Sequence, residues 1–196
     1  AVLRNPVFVG CMIDAGVIYA LYLGFISVAP YIMSEMLGKP ATEFGIYVLF
    51  LSVGYFLGNF VVSRIQGHAQ LERVARFGTY LQAAPACTAA AFVWSGHTDP
   101  LYWFVPMLPL AFAQGLTLPH VTASAVRLVP NFAGVASSLI GLAQQAAAAI
   151  AVQGMGFLPT DSPIPVLTVC AILSLIALCV MIAVDRALHQ PGMPSA

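Results

Sequence analysis

Six apolar stretches, each long enough to cross a lipid bilayer, limit what this chain can fold into more than any other feature of its sequence. A helix that spans the hydrocarbon core needs about 20 consecutive, predominantly apolar residues. The sequence therefore predicts an all-α transmembrane six-helix bundle that takes in residues 1–196 as one domain. The helices are expected at about residues 7–31, 44–63, 76–96, 101–126, 132–157 and 164–185.

The composition supports lipid as the solvent of this chain. Hydrophobic residues make up 60% of it and charged residues 7%, whereas soluble domains carry about 25% charged residues. We therefore expect membrane lipid among its partners. The net charge is zero, so we expect no nucleic acid. The first residues, "AVLRNP", lack Met and a leader-peptide pattern, which predicts a piece of a longer polypeptide.

No pattern in the sequence predicts catalysis or a cofactor. The GxSxG, HExxH, P-loop and CxxC motifs are absent. Ser137, Ser138 and His120 are present, but no oxyanion-binding device is evident beside them. We expect no enzyme, no metal site and no cofactor. The cysteines are expected to be small buried side chains: Cys11, Cys87, Cys170 and Cys179.

Helix starts and sidedness follow from a few polar residues. A capping residue stands before a proline at Asn5-Pro6, Asp99-Pro100 and Ser162-Pro163. Thr42 and Asn131 are candidate caps for two more helices. Six of the seven Lys and Arg residues fall on one side of the predicted topology. The positive-inside rule therefore places both termini in the cytoplasm.

Small residues form two candidate helix-interface faces. The second helix contains Gly54-x-x-x-Gly58, a spacing that lets a neighbouring backbone approach closely. In the fifth helix, the pattern predicts a flat, mildly polar face that packs against a helix or borders a wet cavity. The members of that face are Gly134, Ser137, Ser138, Gly141, Gln144, Gln145 and Ala148.

The candidate pathway for substrate and protons lies on the first, fourth and fifth helices. Asp14 is the one acid well inside a predicted span, where a carboxylate must be paired, hydrated or protonated. Tyr22 lies near the same side of the helix, and Gln144 belongs to the fifth-helix face. Gln114 and His120 belong to a polar stripe on the fourth helix. For His120, ligand binding, proton transfer and an interfacial position all stay open.

The fourth helix is also rich in residues that interrupt helices. Pro106, Pro109, Pro119 and Gly115 all lie inside its apolar run. Membrane helices tolerate such residues where neighbouring helices or water satisfy the freed backbone groups. The pattern indicates a bent helix, either a moving part or a static kink.

Two long stretches resemble one family of membrane proteins. Residues 25–64 and 115–145 are similar to the C-terminal half of a major facilitator superfamily (MFS) transporter, of the bicyclomycin/chloramphenicol-resistance (Bcr/CflA, drug:proton antiporter) type. The matching residues are Ser27, Pro30 and Tyr31; Phe44 and Gly45; Gly115, Pro119, Thr122 and Ala123; and Ala133, Gly134, Ala136, Ser137, Leu139, Gly141 and Gln144. The stretch at residues 58–73 keeps Gly58, Arg64 and Gly67 of the family's usual motif but lacks its acid, and Asp14 matches no motif.

The resemblance implies helices 7–12 of a twelve-helix transporter whose N-terminal six-helix half is missing from this chain. It implies alternating access, with a small-molecule substrate bound near the bilayer midplane between the two halves. The first and fourth helices would then line the cavity. The second and fifth would meet the other half, so both small-residue faces would lie at that boundary.

These observations lead to one functional hypothesis and two rivals. We expect proton-coupled efflux of drugs or metabolites across a bacterial inner membrane. An uptake carrier of the same fold is one rival. The other belongs to a different class: a stand-alone six-helix membrane protein that dimerises through the fifth-helix face as a scaffold or small channel.

Overall fold

The computed structural model describes residues 2–65, 68–127, 129–159 and 161–188, and the described residues confirm the all-α prediction. Six α-helices account for most of them: α1 Pro6–Tyr31, α2 Ala41–Arg64, α3 His68–Trp94, α4 Leu101–Arg127, α5 Ala133–Gly156 and α6 Ile164–Leu188. Short 3-10 turns precede α1 and α5, at Val2–Arg4 and Pro130–Phe132. A π-helical turn, Ile32–Met36, prolongs α1.

The main difference from the sequence prediction is the start of α3, which lies at His68 and not near residue 76. Hydropathy detects only the apolar part of a helix. The first two turns of α3 read "HAQLERVA", which contains good helix formers such as Gln, Leu, Glu and Arg but few apolar residues. The added turns are therefore helical without being lipophilic.

Helix length and hydropathy agree with a membrane environment. Among the described residues, five helical segments are long and apolar enough to cross a bilayer, namely those built on α1, α2, α4, α5 and α6. The helix α3 is not one of them. Large apolar side chains also point outward, such as Phe56 at 65% exposure and Ile150 at 73%. An apolar exterior of this kind is expected where lipid replaces water as solvent.

The helices form a ring of four with two flanking helices. Around the ring, α1 packs on α4, α4 on α3, α3 on α6 and α6 on α1. The flanking helices are α5, which packs on α1, and α2, which packs on α4. We call the end at which α2, α4 and α6 finish the arginine end, because Arg64, Arg127 and Arg186 lie in their last turns.

Close backbone contact holds α2 to α4. A Cβ atom placed on Gly54 would lie 3.2 Å from the carbonyl oxygen of Leu108, and one on Gly58 would lie 2.9 Å from Cα of Gly115. A Cβ on Gly58 would also overlap the carbonyl oxygen of Phe112. Glycine is therefore required on both helices at this crossing. We call this contact the α2–α4 seam.

Two apolar clusters fill the rest of the interior. At the end opposite the arginine end, Phe25, Trp103 and Phe104 belong to the larger cluster. There Tyr47 of α2 stacks on Phe104, with ring centroids 4.5 Å apart. At the arginine end, the second cluster includes Phe8, Val121, Ile140 and Val184. The polar interior described next lies among the ring helices.

Candidate functional site

The side chain of Asp14 lies wholly inside the bundle. Its exposed fraction is 0%, and neither carboxylate oxygen has a hydrogen-bond partner among the described residues. Leaving a polar group buried and unsatisfied costs about 1–3 kcal/mol, and more if the group is charged. Such a cost points to a function that needs the group, because packing alone favours an apolar residue at this position.

The other buried polar side chains come from the ring helices as well. Among the described residues, α3, α4 and α6 contribute the uncharged members of this set, and α2 and α5 contribute none. We call them, together with Asp14, the interior polar set. Its members are Asp14, Thr79, Gln82, Gln114, Thr117 and Ser174.

Two hydrogen bonds between helices organise the part of this set on α3 and α4. Gln114 of α4 donates from Nε2 to the carbonyl oxygen of Ile18 on α1, at 3.3 Å. Gln82 of α3 donates from Nε2 to Oγ1 of Thr117, at 2.6 Å. The Thr117 hydroxyl in turn donates to the carbonyl oxygen of Ala113, at 3.0 Å. Each of these side chains is therefore satisfied in part, in contrast to Asp14.

The helix register relates these bonds to Asp14. Asp14 precedes Ile18 by four residues, so the two lie on one face of α1, about 6 Å apart along the axis. Because α1 and α4 run in opposite directions in this bundle, the turn of α4 that follows Gln114 toward the arginine end lies at the level of Asp14. That turn contains Thr117. The carboxylate thus shares a level of the bundle with hydrogen-bonding groups of α4.

An open cleft lies on a different side of α4. Its volume is about 590 Å³, and it opens between α2, α4 and α5 near the arginine end. Its walls are largely apolar, with polar groups from each of the three helices. They are formed by Tyr55, Leu118, Pro119, Thr122, Ala123, Val126, Arg127 and Gln144. Asp14, which has no exposed surface, does not border this cleft.

Of the predicted pathway residues, the structure thus places Gln144 in the cleft wall and Asp14 and Gln114 in the interior polar set. Tyr22 is half-buried on α1, where Ser52 and Tyr55 of α2 lie close to it. His120 is also half-buried, and its Nε2 lies 3.3 Å from the Ser124 hydroxyl on α4. Three of the five residues therefore divide between the cleft wall and the interior polar set, and Tyr22 and His120 belong to neither.

The predicted helix-interface residues divide too. Gly54 and Gly58 are buried in the α2–α4 seam inside the bundle, so they do not face outward toward a second half as the resemblance implied. The reason is that Gly115 of α4 is itself a glycine, and the two helices meet backbone to backbone. On α5, by contrast, Gly134 and Ser137 are exposed and Gly141 is partly exposed.

Among the described residues, the part of the α5 face around Gly134 and Gly141 has no packed neighbour. A Cβ placed on Gly134 or Gly141 would meet nothing within 4 Å. The hydroxyls of Ser137 and Ser138 donate back to the carbonyl oxygen of Gly134, at 3.0 and 2.9 Å. The face therefore presents small residues with little unsatisfied polarity, which suits close contact with another apolar surface.

The sequence reading missed the residues with which α5 packs on α1. Gly16 of α1 approaches Ala143 and Ala147, and Gly24 approaches Ala151 and Met155. The three alanines recur every fourth residue, which is itself a small-xxx-small spacing. That signal was in the sequence, but the glycines and serines on the neighbouring face were more conspicuous.

The fold and the site define a class: a polytopic helical protein with the build of a membrane protein and an unpaired acid inside its bundle. Comparisons with protein-family models, with curated proteins and with solved structures gave no match to this chain. The functional conclusion therefore rests on geometry and on the sequence motifs.

Proposed function

We propose that this chain is the C-terminal six-helix bundle of a proton-coupled transporter that resembles the Bcr/CflA type of the major facilitator superfamily. In this proposal it exports small molecules by alternating access across a bacterial inner membrane. Both termini of the chain, and hence the arginine end, face the cytoplasm. The other half of the transporter is a second bundle that this chain lacks.

The observation that carries the proposal is the carboxylate of Asp14, buried at 0% exposure with both oxygens unpartnered. An acid in a membrane interior is stable when it is protonated, and becomes costly when it ionises. It can therefore take up a proton from one side and release it when a conformational change brings water or a donor to it. Binding a proton in one state more tightly than in the other shifts the balance between the two states.

The cleft between α2, α4 and α5 is the proposed substrate region. Its wall combines apolar surface with Tyr55 and Gln144, and His120 lies on the same stretch of α4 as the lining residues. Ligand sites of this kind are mostly apolar with a few polar groups that fix orientation. Tyr22, which lies close to Ser52 of α2, extends the polar and aromatic surface along α1. The substrates are drugs or metabolites of mainly apolar character.

The proposal predicts that Asp14→Asn uncouples transport from the proton gradient. The complete protein encoded by this reading frame is reconstituted in liposomes with a pH dye inside, and chloramphenicol and bicyclomycin are tested in a panel of drugs. The wild type should accumulate at least one compound against its gradient when a pH difference is imposed. Asp14→Asn should abolish gradient-driven uptake but keep exchange of labelled for unlabelled compound, because the cleft does not contain Asp14.

Asp161→Asn is the matched control, since Asp161 is exposed and lies outside the six helices; it should behave as wild type. Normal coupling in Asp14→Asn would remove Asp14 from the mechanism. Failure of the wild type to move any compound in the panel under a pH gradient would count against transport itself.

One observation favours a second candidate, a stand-alone bundle that dimerises as a scaffold or small channel. It is the open small-residue face of α5, on which nothing lies within 4 Å of the Cβ positions of Gly134 and Gly141. Two copies of this face would pack closely. The molar mass of the purified protein in detergent, measured by light scattering, separates the candidates: a dimer of this 196-residue chain supports the second, and a single polypeptide of about twelve helices supports the first.

A further inference from the structure

Gln114 is the side chain whose hydrogen bonding is most easily exchanged near Asp14. Its amide nitrogen carries two hydrogens, and the bond to the carbonyl oxygen of Ile18 uses one of them. Ile18 lies well inside α1, so its carbonyl also accepts the ordinary intrahelical bond from four residues ahead. Gln114 can therefore leave Ile18 without creating a buried, unsatisfied carbonyl group.

An ionised Asp14 would compete for that amide. Its carboxylate lies one turn from Ile18 on the same face of α1, and both of its oxygens are unpartnered. Hydrogen bonds to a charged acceptor are roughly twice as strong as bonds between neutral groups. The Gln82 amide also has a second hydrogen, but its bond to Thr117, at 2.6 Å, is shorter than the 3.3 Å bond from Gln114 to Ile18. Gln114 is thus the donor best placed to change partners when Asp14 loses its proton.

We infer that Gln114 is a positioning residue that links the protonation of Asp14 to the packing of α4 on α1, an inference that rests on the proposed function. With Asp14 protonated, the amide bonds to Ile18 and holds α4 in the observed register. With Asp14 ionised, the amide bonds to the carboxylate one turn nearer the arginine end. Because α4 also forms a wall of the cleft, a shift of α4 changes the cleft when Asp14 gains or loses its proton, although the proton binds outside the cleft.

The arrangement suits a proton better than a metal ion. A bound metal ion needs several free oxygen ligands at once, as calcium and magnesium sites show. Among the buried side-chain oxygens in the described residues, those without any hydrogen-bond partner are the two of Asp14. The Thr117 hydroxyl both accepts and donates a bond already. One carboxylate with one exchangeable donor can hold a proton but gives a poor metal cage.

Other ionisable groups also lie on Asp14's own helix and on the helices packed around it. On α1 these are Cys11, which lies one turn from Asp14, and Tyr19, Tyr22 and Tyr31. On α5 there is no ionisable side chain. The remaining groups on α4 and α6 are Tyr102, His120, Arg127, Cys170, Cys179, Asp185 and Arg186. The experiment must therefore report on Asp14 itself.

Carbodiimide labelling does so, because dicyclohexylcarbodiimide reacts with protonated carboxyl groups in apolar surroundings. The purified full-length protein in detergent is labelled from pH 5 to pH 9, and modification of the peptide containing Asp14 is read by mass spectrometry. Wild type should show a sigmoidal loss of labelling as the pH rises. Gln114→Met, which keeps the length of the side chain but removes the donor, should move the midpoint upward by about one pH unit, which is a tenfold change in proton affinity.

Gln153→Met is the matched control, since Gln153 is exposed on α5; its midpoint should equal that of wild type. Gln114→Leu repeats the test if the methionine variant does not fold, as judged by gel filtration. An unchanged midpoint in a folded Gln114 variant would overturn the role of Gln114 while leaving proton-coupled transport intact. Protection of Asp14 by sodium chloride at fixed pH, or no labelling of Asp14 at any pH, would overturn the inference at its base. Failure of the transport assay above would instead count against the proposed function.

Discussion

Two surfaces of this protein are rich in small residues at helical spacing, but they behave in opposite ways. In the α2–α4 seam, Gly54 and Gly58 lie against the backbone of α4, so that a Cβ atom has no room. On the outer face of α5, a Cβ atom placed on Gly134 or Gly141 would meet no described neighbour within 4 Å. The α2–α4 seam is thus packed from both sides, whereas no described helix packs against the outer face of α5.

The comparison shows what a small-residue spacing can and cannot establish. Such a spacing lowers the steric barrier to the approach of another backbone. It does not say which helix approaches. In the α2–α4 seam the partner is identified by Gly115, which supplies a matching flat surface on α4. For the outer face of α5, at Gly134 and Gly141, the described residues supply no equivalent on another helix.

The largest expected effect separates the two surfaces directly. Gly58→Leu should destabilise the bundle by about 3 kcal/mol or more, because its side chain would meet the backbone of Phe112 and Gly115, which cannot move aside without parting the helices. Gly141→Leu should change stability by less than about 1 kcal/mol, since the added atoms enter open space. Thermal unfolding in detergent micelles, followed by circular dichroism, measures both.

Equal losses in the two leucine variants would contradict the comparison, since they would mean that the α5 face is as closely packed as the α2–α4 seam. Ala149→Leu, at another exposed position on α5, controls for the general effect of adding a large side chain to that helix. It should match Gly141→Leu.

Much of the fold could be predicted from sequence, because a helix that crosses lipid must be a long and predominantly apolar run of residues. Apolar length located all six helices, and local capping fixed several starts. Asn5 accepts hydrogen bonds from the backbone of Val7 and Phe8, and Asp99 accepts one from Leu101, as predicted. The predicted caps Thr42 and Asn131 were wrong: α2 begins at Ala41, before Thr42, and α5 is preceded by Phe132 in a 3-10 turn.

The site was harder to predict, because the burial of a side chain between helices depends on the rotation of each helix about its own axis, which sequence alone does not fix. Asp14 was conspicuous as a lone acid in an apolar run, and it is buried. Ser174 gave no such signal: a single serine in an apolar helix is as compatible with lipid exposure as with burial. The partnership of Gln82 with Thr117 joins residues 35 apart in the chain, and no local pattern connects them.

A smaller difference in stability is expected between removing a hydroxyl group from the interior polar set and removing one from the outer face of α5. Thr117→Val should cost about 1–2 kcal/mol, because it leaves the Gln82 amide buried with its partner removed. Ser137→Ala should change stability by less than about 0.5 kcal/mol, since Ser137 is exposed and its hydroxyl donates to Gly134 of the same helix. Unfolding midpoints in the same detergent provide the comparison. A neutral Thr117→Val would mean that Gln82 finds another partner, and would weaken the case for an ordered interior polar set.

The smallest effect tests the second bundle that the proposed function requires. Gly141→Ala should stabilise the isolated chain by about 0.5–1 kcal/mol, because alanine restricts the unfolded backbone and favours helix where no neighbour is displaced. Gly54→Ala should be neutral or unfavourable, since its Cβ would lie 3.2 Å from the Leu108 carbonyl oxygen. If a second bundle packs against α5, as proposed, the sign at Gly141 should reverse in the protein that contains both bundles. A stabilising Gly141→Ala in both settings would leave the α5 face facing lipid, and would remove it as a boundary between moving halves.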